Sequence, residues 1–554
     1  MNDSLVAALF VVGALAWLAV VALDARRLLH VLQLEEYELR RFWRWLRATS
    51  GVGVPQAQTR AAYVLIMLGL LVNILVGARP ETAHALAQAT GLYLLAAALW
   101  GWIGRAHAEA KKPLVWTKKA LLTAALALGL VAFTLGPLAA SWVRQPGAGG
   151  AAVLLIVLGA VGLGHIPAAY LAVATLVLWP FQAAAKWAIV QMAARRLRQR
   201  NDLVVIGVTG SYGKTSTKEI LASLLGARYR VCKTTGSVNT PVGIARTVLR
   251  GLRPDDQVFV VEMGAYVLGN IRDLARLARP RIGVLTAIGE QHLERFGSVE
   301  NIARTKYELI EALPADGLAV FNADNPGCRA LAARTRHVPV RTYGLDAADG
   351  PPDVTAADIR TGTEGTEFTI RATGHGEARV TSPLLGRHNV SNVLAATAVA
   401  LELGLSLAEI AAAARNLEPV PHRLQLMHGQ GGVTVIDDAY NSNPAGARAA
   451  LAVLAEFPGR KVLVTPGMVE LGERLDERHA EFGRAAATVC DYVILVGRRR
   501  TAAIAEGARA AGFPAERLFV VPSLKEATAQ LGRLVTAGDV VLFENDLPDQ
   551  YSEE

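Results

Sequence analysis

Apolar positions follow two different rhythms along this chain. Through residue 200 they form long runs, at about 5–23, 61–77, 85–103, 120–143 and 151–189. Each is long enough to cross a bilayer core, for which roughly 20 apolar residues in a helix suffice. The last run is interrupted by Gly162-Leu163-Gly164-His165-Ile166-Pro167 and is read as one kinked element. Basic residues alternate between the connecting loops. Arg26, Arg27, Arg40, Arg41, Arg44, Arg47 and Arg60 lie between the first two runs, and only Arg79 lies in the next loop. Arg105, Lys111, Lys112, Lys118 and Lys119 fill the third loop, Arg144 stands alone in the fourth, and Arg195, Arg196, Arg198 and Arg200 follow the last run. Lysine and arginine collect on the cytoplasmic side, so the N-terminus is expected outside, with five crossings and the rest of the chain in the cytoplasm. No basic stretch precedes the first run, which argues against a cleaved signal peptide. Leu34–Arg47 mixes aromatic and basic residues at helical spacing and predicts an interfacial helix against membrane lipids.

From Asn201 onward the rhythm shortens. Brief β-branched bursts alternate with alanine-rich helical stretches, the pattern of a doubly wound α/β sheet. Strands are predicted at Leu203–Val208, Val258–Glu262, Ile282–Leu285 and Leu318–Phe321, followed by an antiparallel side sheet at Glu367–Arg371 and Ala378–Thr381. The chain then crosses near Glu418-Pro419-Val420-Pro421 into a second unit with strands at Val433–Asp437, Lys461–Thr465, Tyr492–Val496 and Val540–Phe543. The expected fold is α/β behind a multi-span helical membrane domain. Residues 1–200 form the transmembrane part, 201–415 a central P-loop-type ATPase domain, and 416–554 a C-terminal Rossmann-like α/β domain.

Charge is divided at the same place. Residues 1–200 hold 19 Lys and Arg against 7 Asp and Glu, and the remainder holds 38 against 41. The net charge of +9 is therefore a membrane-flank signal and does not indicate nucleic-acid binding. Cys232, Cys328 and Cys490 lie far apart without a CxxC pair, so buried reduced thiols are expected in place of zinc ligands or disulfides.

The most telling stretch is Thr209-Gly210-Ser211-Tyr212-Gly213-Lys214-Thr215-Ser216-Thr217, entered from Leu203-Val204-Val205-Ile206. A strand, a glycine-rich turn and a helix in that order aim backbone N–H groups and a helix N-terminus at phosphate. Gly210, Ser211, Gly213, Lys214, Thr215 and Ser216 are the expected ATP contacts, with Thr215 as a Mg²⁺ ligand. The loop departs from GxxxxGK[ST], since Val208 holds the first glycine place and Gly207 precedes it. Glu262 ends a strand with a carboxylate suited to Mg²⁺, His292 follows another strand, and Lys306 lies on a helix expected over Ile302–Leu313.

Together these segments resemble the Mur ligases, the ATP-dependent amide ligases of peptidoglycan precursor synthesis, and among them the type that adds D-alanyl-D-alanine. Further matching segments are Asn239–Gly243, Gly289–Ser298, Asn322–Asn325, Gly386–Asn392 and Ile436–Pro444, so that the likeness covers about residues 201–545 in family order. The resemblance implies that Lys214 meets the β/γ-phosphates while Thr215 and Glu262 hold one Mg²⁺. His292 and Lys306 would serve a second Mg²⁺, with Lys306 carbamylated. Asn392 would contact the adenine end of ATP, and Arg423 and Asp438 would close over the nucleotide. Catalytic roles fall to Lys214, His292 and Lys306. The implied partners are a peptide-bearing envelope precursor, UDP- or lipid-linked, and an amino-acid or dipeptide amine donor. Three features depart from the family pattern: the expected membrane region stands in the place of the family's small uridine-nucleotide-binding domain, Pro466-Gly467 precedes Met468-Val469-Glu470-Leu471-Gly472, and Leu542–Asp549 lacks the family's lysine/glycine/serine ending. A ligase of another envelope polymer and a nucleotide-sensing transport or scaffold protein are the alternative readings.

Overall fold

The computed structural model describes residues 25–34, 37–48, 114–144 and 165–546, apart from a few isolated positions that include His292, Asn441 and Glu470. The chain divides into two compact units, Met1–Ala185 and Lys186–Glu554. The expected crossings at 5–23, 61–77 and 85–103 lie outside the described residues.

In the first unit, residues 25–34 and the helices Leu39–Ala48 and Lys118–Arg144 are described, together with the start of helix His165–Arg198. Leu28, Leu29, Leu32, Phe42 and Leu46 bury themselves against Ala120, Ala127, Ala168, Leu171 and Ala174. The segment read as an interfacial helix thus turns Phe42 and Leu46 inward, an interior role that its mixed composition did not reveal. Among the described residues one helix, Ala168–Arg198, is long and apolar enough to cross a membrane, and it falls within the last of the five expected crossings.

The second unit holds two parallel-centred sheets. The first comprises β1 (Val204–Thr209), β2 (Val231–Lys233), β3 (Val258–Glu262), β4 (Ile282–Leu285), β5 (Leu318–Asn322), β6 (Val340–Gly344), β7 (Val354–Gly362), β8 (Gly365–Ala372) and β9 (Gly376–Ser382). Their order is β2-β3-β1-β4-β5-β6-β7-β8-β9. The central strands are buried on both faces, which is why they read as unbroken apolar runs without alternation. The antiparallel strands β8 and β9 join the same sheet through β7, which pairs parallel with β6 at Tyr343–Val354. The expected side sheet is therefore an extension of the main one.

The second sheet comprises β10 (Gln425–His428), β11 (Thr434–Asp438), β12 (Lys461–Thr465), β13 (Tyr492–Val496), β14 (Leu518–Val521) and β15 (Val540–Glu544), ordered β10-β11-β15-β12-β13-β14. All of its pairings are parallel except β10 with β11. Asn443 caps helix Pro444–Ala455 by accepting from Gly446 N–H, with Pro444 in the first turn where its missing N–H does no harm.

Gly207 is a packing residue and not a member of the phosphate loop. A Cβ there would come within 2.7 Å of Leu309 Cδ1 and 3.2 Å of Met263 Cε, so the glycine lets helix Val299–Glu311 lie directly on β1.

Candidate active site

The C-terminal edge of the first sheet collects the polar groups, as expected for a doubly wound fold. β1 ends at Thr209, whose hydroxyl donates to Met263 O at 2.8 Å and ties the ends of β1 and β3 together. The chain then turns through Gly210 at φ 151°, where a Cβ would collide with Thr286 Oγ1. Helix Lys214–Leu225 follows, capped at its start by Gly213. The loop and first turn thus present Gly210, Ser211, Gly213, Lys214, Thr215 and Ser216 in the arrangement expected of a phosphate cradle.

Lys214 Nζ donates to Gly210 O at 2.7 Å, Ser211 O at 3.1 Å and Gln291 Oε1 at 3.3 Å. Burial pulls its pKa down to about 8, with Glu262 opposing the shift and Arg423 adding to it. A polyphosphate beside the ammonium would reverse this shift by Coulomb attraction.

Glu262, the last residue of β3, is almost fully buried. Its Oε1 accepts from Asn239 Nδ2 at 3.2 Å, and its backbone N–H donates to Thr234 Oγ1 at 3.1 Å. Oε2 has no hydrogen-bond partner and faces Lys218 Nζ at 3.6 Å. A buried carboxylate oxygen without a hydrogen-bond partner, whose charge acts on Lys214, is a ligand suited to a hard cation that displaces the Lys218 ammonium from it. No group of three His, Cys, Asp or Glu converges among the described residues. That donor set suits Mg²⁺, which usually takes one or two protein carboxylates and completes its shell with water and phosphate oxygens.

Lys306 sits in helix Val299–Glu311, nearly inaccessible to solvent. Burial lowers its pKa well below the ordinary value; the Lys214 charge adds to the shift and Glu262 opposes it. His292, its expected partner, lies outside the described residues.

Asn392 is buried beneath the loop. Its Oδ1 accepts from Thr217 Oγ1 at 3.1 Å, and its Nδ2 donates to Asn389 Oδ1 at 3.3 Å. This pins helix Arg387–Glu402 to the phosphate-loop helix.

Two residues arrive from beyond position 415. Arg423 Nη2 donates to Thr215 Oγ1 at 3.5 Å, and the guanidinium stacks on Tyr440 at 4.2 Å from the ring centre. Its buried Nε has no partner. Both neighbours of Arg423 are left-handed, His422 at φ 60° and Leu424 at φ 47°. Such a conformation is unfavourable for non-glycine residues and persists only where surrounding contacts impose it. Asp438 accepts from Leu424 N–H at 3.2 Å. Burial raises its pKa to about 6; the Leu424 N–H and Arg423 pull it down, and Asp437 pushes it up.

The structure therefore brings Lys214, Thr215, Glu262, Lys306, Arg423 and Asp438 to one region, with Asn392 behind the loop. Sequence reasoning missed Lys218, which is fully buried between Glu262 and Glu219 and bonded to Gly236 O. It also assigned no role to Ser237, 3.4 Å from Thr215 Oγ1, or to Gln291. Lys218, in the turn after Lys214, was the one legible signal, since a second lysine there is one helical turn away from the first.

Fold and site define a phosphate-loop nucleotide-binding α/β protein with a second Rossmann-like sheet. Residues 208–400 match the Mur ligase middle domain, and residues 422–544 match the Mur ligase, glutamate ligase domain. The UDP-N-acetylmuramoyl-tripeptide–D-alanyl-D-alanine ligase of Escherichia coli is 38% identical over 304 residues, covering 55% of this chain and 66% of that protein. The ligase of the same name from Bacillus subtilis is 35% identical over 356 residues, covering 64% and 75%. Among solved structures, MurF from Acinetobacter baumannii superposes with a TM-score of 0.60 at 30% identity, covering 66% of this chain and 78% of that one. The chain belongs to the Mur ligase family, and it is an ATP-dependent amide ligase of the kind that uses ATP and Mg²⁺.

Proposed function

We propose that this chain is a membrane-anchored ligase of cell-wall precursor synthesis that joins D-alanyl-D-alanine to the peptide of a UDP- or lipid-linked muropeptide. The observation that carries this reading is the meeting of Lys214, Thr215, Glu262, Lys306 and Arg423 at one sheet edge. The names of the Escherichia coli and Bacillus subtilis relatives supply the donor and the acceptor peptide.

In the proposed reaction a peptide carboxylate oxygen attacks the γ-phosphorus of ATP, the bond to the bridging oxygen breaks, and ADP leaves. The amine of the donor then attacks the acyl carbon. The resulting tetrahedral intermediate expels phosphate, and the amine proton is released. Lys214 and Arg423 meet the charge that develops on the transferred phosphoryl oxygens. Thr215 and Glu262 would hold Mg²⁺, which supplies charge neutralisation at the phosphates. Asn392 would contact the adenine end of ATP, and Arg423 and Asp438 would close over the nucleotide.

Burial lowers the pKa of Lys306 well below its ordinary value and so favours the free amine, which suits it to add CO₂. Its free amine attacks the carbon, one proton leaves, and a carbamate carboxylate remains. That group, with His292, would be an oxygen and nitrogen donor pair for a second Mg²⁺. A charged ammonium there would repel the metal.

The membrane reading is supported by helix Ala168–Arg198, 31 residues long, whose Leu176, Trp179, Phe181 and Trp187 are exposed. Apolar side chains of that size on one helix favour lipid over water. The same reading gives domains at 1–200, 201–415 and 416–554, with the ligase domains on the cytoplasmic side.

The test is phosphate release by the full-length protein in detergent with ATP, Mg²⁺ and D-Ala-D-Ala, comparing UDP-linked with lipid-linked tripeptide. Turnover that vanishes in Lys214→Ala is expected. No turnover with either acceptor would sink the D-Ala-D-Ala assignment.

A further inference from the structure

At the outer edge of the nine-stranded sheet, a cleft of about 670 Å³ lies between β2 and helix Pro241–Arg250. Its walls carry Lys233, Arg246, Arg250 and Arg253 against a single carboxylate, Asp256. Lys233 is already paired with Glu219. Asp256 is buried and accepts the backbone N–H of Arg253 at 2.6 Å. Arg246, Arg250 and Arg253 are exposed, and among the described residues none of the three forms an ion pair. Three guanidiniums around one concavity form a positive field that attracts a multivalent anion, and guanidinium geometry favours phosphate oxygens.

The two ends of the cleft lead to different places. At one end, Thr235 and Val238 belong to the segment that sends Ser237 Oγ to Thr215 Oγ1 at 3.4 Å and Asn239 Nδ2 to Glu262 at 3.2 Å. At the other end, Arg196 donates to Leu249 O at 3.0 Å and Leu252 O at 2.6 Å, beside the last turn of helix Pro241–Arg250. Ala193, Ala194 and Leu197 of the same apolar helix pack with Cys232, Ile244 and Val248. Trp187 and Met192 of that helix remain exposed. At 1.5 Å per residue, Trp187 lies about 14 Å along the axis from Arg196.

We propose that this cleft seats the diphosphate of the peptide-bearing acceptor, a glycosyl diphosphate, on Arg246, Arg250 and Arg253. The proposal rests on the acceptor reading given above. A diphosphate held here places its sugar and peptide along the 234–243 segment, with the peptide carboxylate directed toward Thr215 and Glu262. Helix Pro241–Arg250 is about 15 Å long, which a sugar and an extended tripeptide of about 10 Å span together. Nucleotide-linked and lipid-linked acceptors share this diphosphate, and the position of the cleft beside the apolar helix suits either.

The experiment uses full-length protein in detergent micelles, with wild type compared against the double variant Arg246→Ser/Arg250→Ser. Binding of UDP-muramoyl tripeptide and of its lipid-linked form is measured by calorimetry at two salt concentrations, alongside ATP binding. The expected result is at least tenfold weaker acceptor binding and a shallower salt dependence in the variant, with ATP affinity within twofold. A loss confined to one acceptor supports the site and identifies its source of diphosphate. Equal acceptor affinity in the two proteins, or no acceptor binding by the wild type, overturns it. Phosphate release by the wild type reports separately on the ligase reading: acceptor binding that depends on the arginines without turnover keeps the cleft and removes that reading.

Discussion

Arg478 grips Glu290 at both carboxylate oxygens, Nε to Oε2 at 3.0 Å and Nη2 to Oε1 at 2.9 Å. Arg474 bonds to the same carboxylate from one turn earlier. Glu290 follows β4, whereas Arg478 lies on helix Leu475–Val489 against the second sheet. The pair therefore joins the two sheets of the unit, and bidentate guanidinium–carboxylate contacts are the stronger kind.

The grip reaches the phosphate loop through adjacent residues. Gly289 and Ser211 bond to each other twice, at 3.0 and 3.1 Å, and Gln291 accepts from Lys214. Arg478→Ala is expected to lower kcat at least tenfold while the KM for ATP changes less than threefold. Arg371→Ala, which breaks an exposed pair with Glu377, is expected to leave both unchanged. Steady-state kinetics of the two variants check this, and equal effects would refute the coupling.

Gly207→Ala forces a methyl against Leu309 and Met263. Overpacking of this kind costs about 1–3 kcal/mol. A lower melting temperature with an unchanged KM for ATP is expected, since Gly207 lies in β1 and not in the phosphate cradle. A raised KM for ATP at full stability would return it to the loop.

Lys214 makes function and stability opposed. Its native pKa, about 8, lies below the ordinary 10.5, so the native state binds this proton less tightly than the unfolded chain does. Stability is then reduced in full below about pH 8, and the reduction fades as pH rises toward the ordinary value. Lys214→Met is expected to abolish activity yet stabilise the protein at pH 7 by about 3 kcal/mol, at 1.36 kcal/mol per pKa unit. Denaturant midpoints at pH 7 and pH 10 check this, with the advantage expected to shrink at the higher pH.

Glu544 gives the opposite slope. Burial raises its pKa to about 8, while bonds from Ser442 and Thr465 lower it and Asp438 raises it further. A carboxyl whose native pKa is raised above its ordinary 4.5 contributes stability at low pH that is lost as pH climbs through about 8. Glu544→Gln keeps the shape and cannot ionise. Its melting temperature is expected to match wild type near pH 5 and exceed it above pH 8. A difference that does not grow with pH would refute the assignment.

The ends of β3, β4, β12 and β13 fall where the apolar bursts place them, because a strand buried on both faces must be apolar throughout and stops where polar residues begin. Glu262 was legible because it ends such a burst, and Lys214 and Thr215 because a glycine-rich turn follows the burst of β1. The strands β2, β6, β7, β10 and β14 escaped notice. β2 has three residues and little pattern, and β10 is half exposed at an edge. Pairing with a neighbour, and not local composition, makes these segments strands.

By itself, then, the sequence determined the alternation of strands and helices, the phosphate loop and the long apolar runs, all of which depend on residues close together in the chain. Only the tertiary structure decided that Gly207 is a packing glycine, that Lys218 is buried against Glu262, that two left-handed residues present Arg423 to Thr215, and that Arg478 holds Glu290. Each of these relations joins side chains whose meeting depends on sheet order and helix packing, and neither quantity is written in any local pattern of apolar and polar residues.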